Sequence, residues 1–137
     1  MKINTKIRYG LRTMTEIALS DQEEGVLQKE ISEKQNISFK YLDTIIAALK
    51  TKGLIINAKG KGSGYKLAKP AHEITIYDIY TAFDPINIVD CIQNINYCDR
   101  HCNCIGRSYW TELRNDFIQL LKKNTLADII VKYGPKT

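Results

Sequence analysis

Ser38-Phe39-Lys40-Tyr41-Leu42-Asp43-Thr44-Ile45-Ile46-Ala47-Ala48-Leu49-Lys50-Thr51-Lys52-Gly53 is the stretch on which the fold turns. Leu42, Ile45, Ile46 and Leu49 recur at three- and four-residue spacing, so one side of a helix over residues 39–52 is apolar and faces a core. Ser38 can cap it, because its hydroxyl accepts a backbone N–H that the first turn leaves unpaired. Gly53 supplies the left-handed residue that commonly ends a helix. The opposite side carries Lys40, Tyr41, Asp43, Thr44 and Lys50. Immediately after it, residues 54–58 and 65–68 are short β-type runs around Lys59-Gly60-Lys61-Gly62-Ser63-Gly64, which reads as a hairpin with a flexible tip. Upstream, Ile7, Leu11, Met14 and Ala18 place a helix over about residues 5–20, and Val26 and Leu27 lead into a short helix over 28–35 with Ile31 inward. The expected fold is mostly α with a small β-hairpin, with a winged helix-turn-helix DNA-binding domain over residues 1–69.

Residues 70–137 read as a second functional region for sensing and dimerisation. Thr75 caps a short helix over 76–83, with Asp78 completing a capping box and Asp84-Pro85 closing it. Residues 86–104 lack periodicity. A long helix then starts near residue 105, with Trp110, Leu113, Phe117, Leu120 and Leu121 at helical spacing, and ends at Lys122-Lys123. Thr125 and Asp128 cap a last helix carrying Leu126, Ile129, Ile130 and Tyr133, stopped by Gly134-Pro135. Two copies of the long helix can bury the same apolar stripe against each other, so a homodimer is expected. A symmetric dimer suits a palindromic DNA site.

Charge is uneven along the chain. Residues 1–69 hold thirteen Lys/Arg against seven Asp/Glu, and residues 70–137 hold seven against eight. Between Lys40 and Lys69, seven lysines face the single acid Asp43. A basic stripe over a helix and a hairpin points to double-stranded DNA. Ser38, Lys40, Tyr41, Asp43 and Thr44 are the candidate base-reading residues, and Lys59, Lys61 and Ser63 the candidate contacts from the wing. Asp43 is repelled by phosphates, so it either accepts from a cytosine amino group or sits off the interface. No run is long and apolar enough for a membrane span, and the start lacks a secretory apolar run, so a soluble, cytoplasmic chain is expected. No nucleotide-binding glycine motif, Ser/His/Asp set or paired carboxylates speak for an enzyme.

Cys91, Cys98, Cys102 and Cys104 lie within fourteen residues, and the other 123 contain no cysteine. In a reducing compartment such a cluster reads as metal ligands or redox thiols rather than structural disulfides. The spacing does not match paired C-x2-C zinc knuckles. An iron–sulfur cluster leads on spacing, with zinc, reversible thiol chemistry and inert cysteines as the alternatives. His101 is a further candidate nitrogen ligand.

Together, residues 1–9, Ile31 to Ser38 with Tyr41-Leu42, the wing Gly60 to Tyr65, and three cysteines ahead of Trp110 resemble the IscR/NsrR group of bacterial repressors, the family named after the redox regulator Rrf-two. The resemblance implies a homodimeric winged-helix repressor controlled by a [2Fe–2S] cluster, or else a [4Fe–4S] one. It implies Cys91, Cys98 and Cys104 as cluster ligands. The family's usual fourth ligand is either a histidine three residues after the last cysteine or a carboxylate near the N-terminus. Those places are Arg107 and Arg8 here, which leaves Cys102 as the leading fourth ligand. A cluster-free member acting as a thiol switch, and a small zinc or iron–sulfur protein outside transcription, are the other readings.

Overall fold

The computed structural model describes residues 2–20, 22–60, 62–89, 92 and 104–135. Helix α1 spans Thr5–Leu19, α2 Gln28–Gln35 and α3 Phe39–Lys52. Strands β1 (Ile55–Asn57) and β2 (Tyr65–Leu67) pair antiparallel, with Ile55 opposite Leu67 and Asn57 opposite Tyr65. A 3-10 turn at Ala71–Glu73 precedes α4 (Ile76–Thr81), followed by the long α5 (Ile105–Lys123) and the last helix α6 (Leu126–Tyr133). Six α-helices and one small hairpin among the described residues make the expected winged-helix class. None of these helices is long and apolar enough to cross a membrane.

The caps follow the sequence closely. Ser38 accepts from Tyr41 N at 3.1 Å, and Gly53 closes α3 in left-handed backbone at φ 83°. Thr75 with Asp78 and Thr125 with Asp128 form reciprocal capping boxes. Differences are local. Helix α4 stops at Thr81, two residues short of the expected end, and Thr81 Oγ1 donates back to Tyr77 O at 2.7 Å. Val26 does more than lead into α2: it bridges Tyr65 and gives the wing a third, one-residue strand. In α1 the buried residues are Ile7, Gly10, Thr13, Met14 and Ile17, while Leu11 and Ala18 lie half-buried at the core margin.

One apolar cluster joins Met14, Ile17, Ile31, Leu42, Ile45 and Leu49 to Leu54 and Ile55, and also to Ile74, Ile79 and Leu126. The C-terminal part therefore completes the core of the winged helix. A second cluster seats Ile7, Tyr80 and Ile86, with Phe117, Ile118 and Leu121 of α5 packed against it. Tyr80 meets Phe117 edge-on at 6.1 Å. Burial pushes the Tyr80 hydroxyl above its ordinary range, and the charge of Asp84 adds to that, so the phenol stays neutral inside the cluster.

Gly10 is where α1 meets the segment after α4. A Cβ at this position would lie 2.3 Å from Phe83 Cε2. Gly10→Ala is expected to lower stability by about 1–3 kcal/mol through overpacking, despite alanine's better helix propensity. Urea denaturation checks it, with Phe83→Leu in the same chain recovering part of the loss. A Gly10→Ala protein at least as stable as the parent would contradict this packing.

Candidate DNA-reading surface and cysteine site

Helix α3 is held from behind by its apolar face, which leaves its first turns outward. Ser38, Phe39, Lys40, Asp43 and Thr44 are all exposed. Tyr41 is half-buried, its ring edge-on to Tyr9 at 5.6 Å, while the Arg12 guanidinium lies 4.9 Å from the centre of the Tyr9 ring. Arg12 also donates to Gln35 through Nε, at 2.9 Å to Oε1, and through its terminal nitrogen to the Gln35 carbonyl. Gln35 in turn donates to Glu16 Oε1 at 2.6 Å. This polar chain fixes the end of α2 on α1 and so sets the angle at which α3 is presented.

Asp43 accepts from Gln28 Nε2 at 2.6 Å. Sequence reading had no signal for Gln28, which sits at the first position of α2, fifteen residues away in the chain. In the wing, Lys59 is exposed. Ser63 turns its hydroxyl inward toward the carbonyls of Ala58 and Gly60, bracing the tip. Lys61 lies outside the described residues. Lys50 Nζ stands 5.8 Å from the centre of the Tyr65 ring, joining the far end of α3 to the hairpin. The arrangement is a groove-sized helix end beside a basic hairpin, the geometry with which a winged helix meets a duplex.

Of the four cysteines, Cys104 is described; Cys91, Cys98 and Cys102 lie outside the described residues, as does His101. Cys104 is half-buried and is the N-cap of α5, its Sγ accepting from Arg107 N at 3.4 Å. Gly106 lies beside it: a Cβ there would be 3.5 Å from both Cys104 Sγ and Trp110 Nε1. Arg107 Nε is buried with no hydrogen-bond partner among the described residues. Arg8 lies on the surface and donates to Thr5 Oγ1 at 2.9 Å. Among the described residues no three His, Cys, Asp or Glu side chains group to hold a metal.

The other end of the cysteine segment is anchored. Ile86 is buried in the second cluster, and Arg114 Nε of α5 donates to its carbonyl at 3.2 Å. Asp84 accepts from Asn4 Nδ2 at 3.0 Å, and the same Asn4 caps α1 through Oδ1 to Ile7 N at 2.9 Å. Sequence patterning had not singled out Arg114 or Asn4, since each acts through one hydrogen bond to a distant segment. Along α5 itself Ile105, Tyr109, Trp110, Leu113 and Leu120 are exposed, and none of its residues is fully buried.

Residues 3–132 match the family model described as Rrf2, iron-dependent transcriptional regulator. The chain is 34% identical over 131 residues to the protein rrf2 of Nitratidesulfovibrio vulgaris, covering 95% of this chain and 87% of that one. Its fold is similar to that of CymR, the global cysteine regulator of B. subtilis (TM-score 0.78, 29% identity, 96% and 98% covered). It is also similar to T. potens IscR (TM-score 0.77, 28% identity, 96% and 88% covered).

The sulfur cap gives a local test. In metal-free protein, Cys104→Ala is expected to weaken the first turn of α5 by about 0.5–1 kcal/mol, whereas Cys104→Ser keeps the cap. Hydrogen exchange at the Arg107 amide reads this directly. Equal exchange in both variants would remove Cys104 from the cap.

Proposed function

The chain belongs to the Rrf2 family of transcriptional regulators, and from that premise we propose that it binds palindromic operator DNA as a homodimeric repressor controlled by an iron–sulfur cluster. Cys91, Cys98 and Cys104 hold the cluster, with Cys102 as the fourth ligand, and [2Fe–2S] is the form proposed. Residues 1–69 read the DNA, and residues 70–137 hold the sensor and the dimer contact. Regulators rather than enzymes are what this chain resembles.

Cys104 carries this reading. It is a proposed ligand and also the cap of α5, so whatever changes its sulfur acts directly on the helix with the uncovered apolar face. The donor set fits the group: clustered thiolates are the soft ligands iron–sulfur centres take, and the family description supports iron over zinc. When bound, a cluster supplies an iron centre that changes charge by one electron and is sensitive to oxidants and small gases.

The chain's own residues then transmit its state. A thiolate at Cys104 accepts the Arg107 N–H more strongly than a thiol does and firms the first turn of α5. Arg114 holds the entrance of the segment at Ile86, so the cysteine loop is tied to α5 at both ends. A second copy of the chain covers Ile105, Tyr109, Trp110 and Leu113. Movement of α5 against its partner then changes the separation of the two α3 helices, which must match half-sites about 34–36 Å apart. Ser38, Lys40, Tyr41, Asp43 and Thr44 face the major groove, and Lys59, Lys61 and Ser63 the flanking backbone.

Likeness to the cysteine regulator CymR supports a second reading, in which Cys102 and Cys104 act as a cluster-free thiol switch. Anaerobic purification followed by absorption spectroscopy, with iron, acid-labile sulfide and zinc assays, separates the two. The cluster reading expects a coloured protein with equal iron and sulfide, and a Cys98→Ala variant that is colourless. Colourless wild-type protein whose DNA binding responds to thiol oxidants would establish the switch instead.

A further inference from the structure

Gln28 opens α2 and faces the start of α3 across the helix-turn-helix corner. Its carboxamide nitrogen donates to Asp43 Oδ1 at 2.6 Å and to Phe39 O at 3.1 Å. That nitrogen carries two hydrogens, and these two acceptors take both. What the pair still offers outward is acceptors alone: Gln28 Oε1 and the second carboxylate oxygen of Asp43. Among the described residues no Lys or Arg forms an ion pair with Asp43, and Gln28 is its hydrogen-bond partner. A carboxylate with no cation, on the exposed end of a basic reading helix, is costly near phosphates unless a base requires it.

Resting on the DNA-binding reading above, we propose that Gln28 is a positioning residue for base recognition. It holds Asp43 as a fixed acceptor that selects cytosine at one position of each half-site. The chemistry of the major groove makes the choice. Guanine presents acceptors at N7 and O6, and thymine presents an acceptor and a methyl group, so both repel or waste the carboxylate. Adenine offers its N6 donor beside the N7 acceptor, which meets the carboxylate unfavourably. Cytosine offers its N4 amino donor without a neighbouring ring acceptor.

Gln28 matters because Asp43 has an alternative. Lys40 lies three residues earlier, on the same side of α3, and residues at that spacing are neighbours on a helix surface. A freed carboxylate turns to that ammonium and is withdrawn from the base. The hydrogen bond from Gln28 keeps it out of the local ion pair without neutralising it. Ile31, Ile37 and Leu42 already join α2, the turn and α3 in the core, and Ser32 Oγ donates to Ile37 O at 2.6 Å, so the Gln28 contact is not needed to hold the corner together.

The test is selection of bound duplexes from a random-sequence DNA pool by the full chain, followed by binding measurements on synthetic duplexes changed at single positions. Wild type is expected to prefer cytosine at one position per half-site by about tenfold or more. Asp43→Ala loses that preference. Gln28→Ala and the isosteric Gln28→Glu, which lacks the donor, cut it to about threefold or less while other positions keep theirs. Adding either Gln28 change to Asp43→Ala produces no further loss. Lys59→Ala weakens binding on all duplexes alike. Gln28 variants that keep the cytosine preference lost in Asp43→Ala would overturn the proposal. So would Gln28 variants that lose affinity evenly at every position, the mark of a merely structural contact. A wild-type chain that enriches no duplex would overturn the DNA-binding reading itself, and the inference with it.

Discussion

A short main-chain clasp determines where the long helix can lie. Ile76 N donates to Asn124 O at 2.9 Å and Leu126 N donates to Ile74 O at 2.8 Å, with Thr75 opposite Thr125. Two backbone pairs are satisfied there, and Ile74 and Leu126 enter the core fully buried. The clasp docks the end of the chain onto the reader, so α5 must run from the cysteine segment back to a fixed point. Its nineteen residues make a strut of about 28 Å. The strut packs through its own Phe117, Ile118 and Leu121 against Ile7, Tyr80 and Ile86, while its Ile105, Tyr109, Leu113 and Leu120 stay exposed.

From that constraint the division of labour follows. The hydrophobic effect fixes α3 and α6 into one core, while α5 is held by a sulfur cap at Cys104, by Arg114 on Ile86 and the packing of Phe117, Ile118 and Leu121 on the second cluster, and by the clasp beyond Lys123. Helix α5 carries the Cys104 cap at the end farthest from that packing. Its bare face is large and aromatic in its first half, where Tyr109 and Trp110 meet edge-on at 5.2 Å. Aromatic anchors of this kind contribute strongly when a partner covers them. The proposed sensor therefore acts where the proposed dimer contact begins.

Much of this was legible in the sequence because it is written in local chemistry. Ser38, Gly53, and the Thr75/Asp78 and Thr125/Asp128 boxes each announce a helix end within four residues, and the structure places ends at all of them. Periodicity also marked the inward face of α3 and, in α6, buried Leu126 and half-buried Ile129 and Ile130, whereas Tyr133 of the same pattern is exposed. In α1 it found buried Ile7 and Met14, pointed also to Leu11 and Ala18, which are only half-buried, and missed Gly10, Thr13 and Ile17. The periodic pattern carries no information about Phe83 closing on that side. Val26 as a strand, Gln28 on Asp43, Arg114 on Ile86 and Asn4 on Asp84 were equally invisible, because each is a single contact between segments far apart in the chain. Of the candidate site, Ser38, Lys40, Asp43, Thr44 and Lys59 are exposed. Tyr41 is committed to Tyr9 and Ser63 to the turn, which leaves them scaffolding as well as surface. Three of the four cysteines and Lys61 lie outside the described residues, so their assignment rests on sequence and family.

The central claim is that the state of the cysteine site governs DNA affinity through α5. Its most direct test is the dissociation constant for one duplex, selected from a random pool, measured anaerobically on a single preparation before and after its iron is removed by chelation. The account expects the two values to differ by about tenfold or more, with Cys98→Ala matching the stripped protein. Equal affinity in the loaded and stripped forms would contradict it.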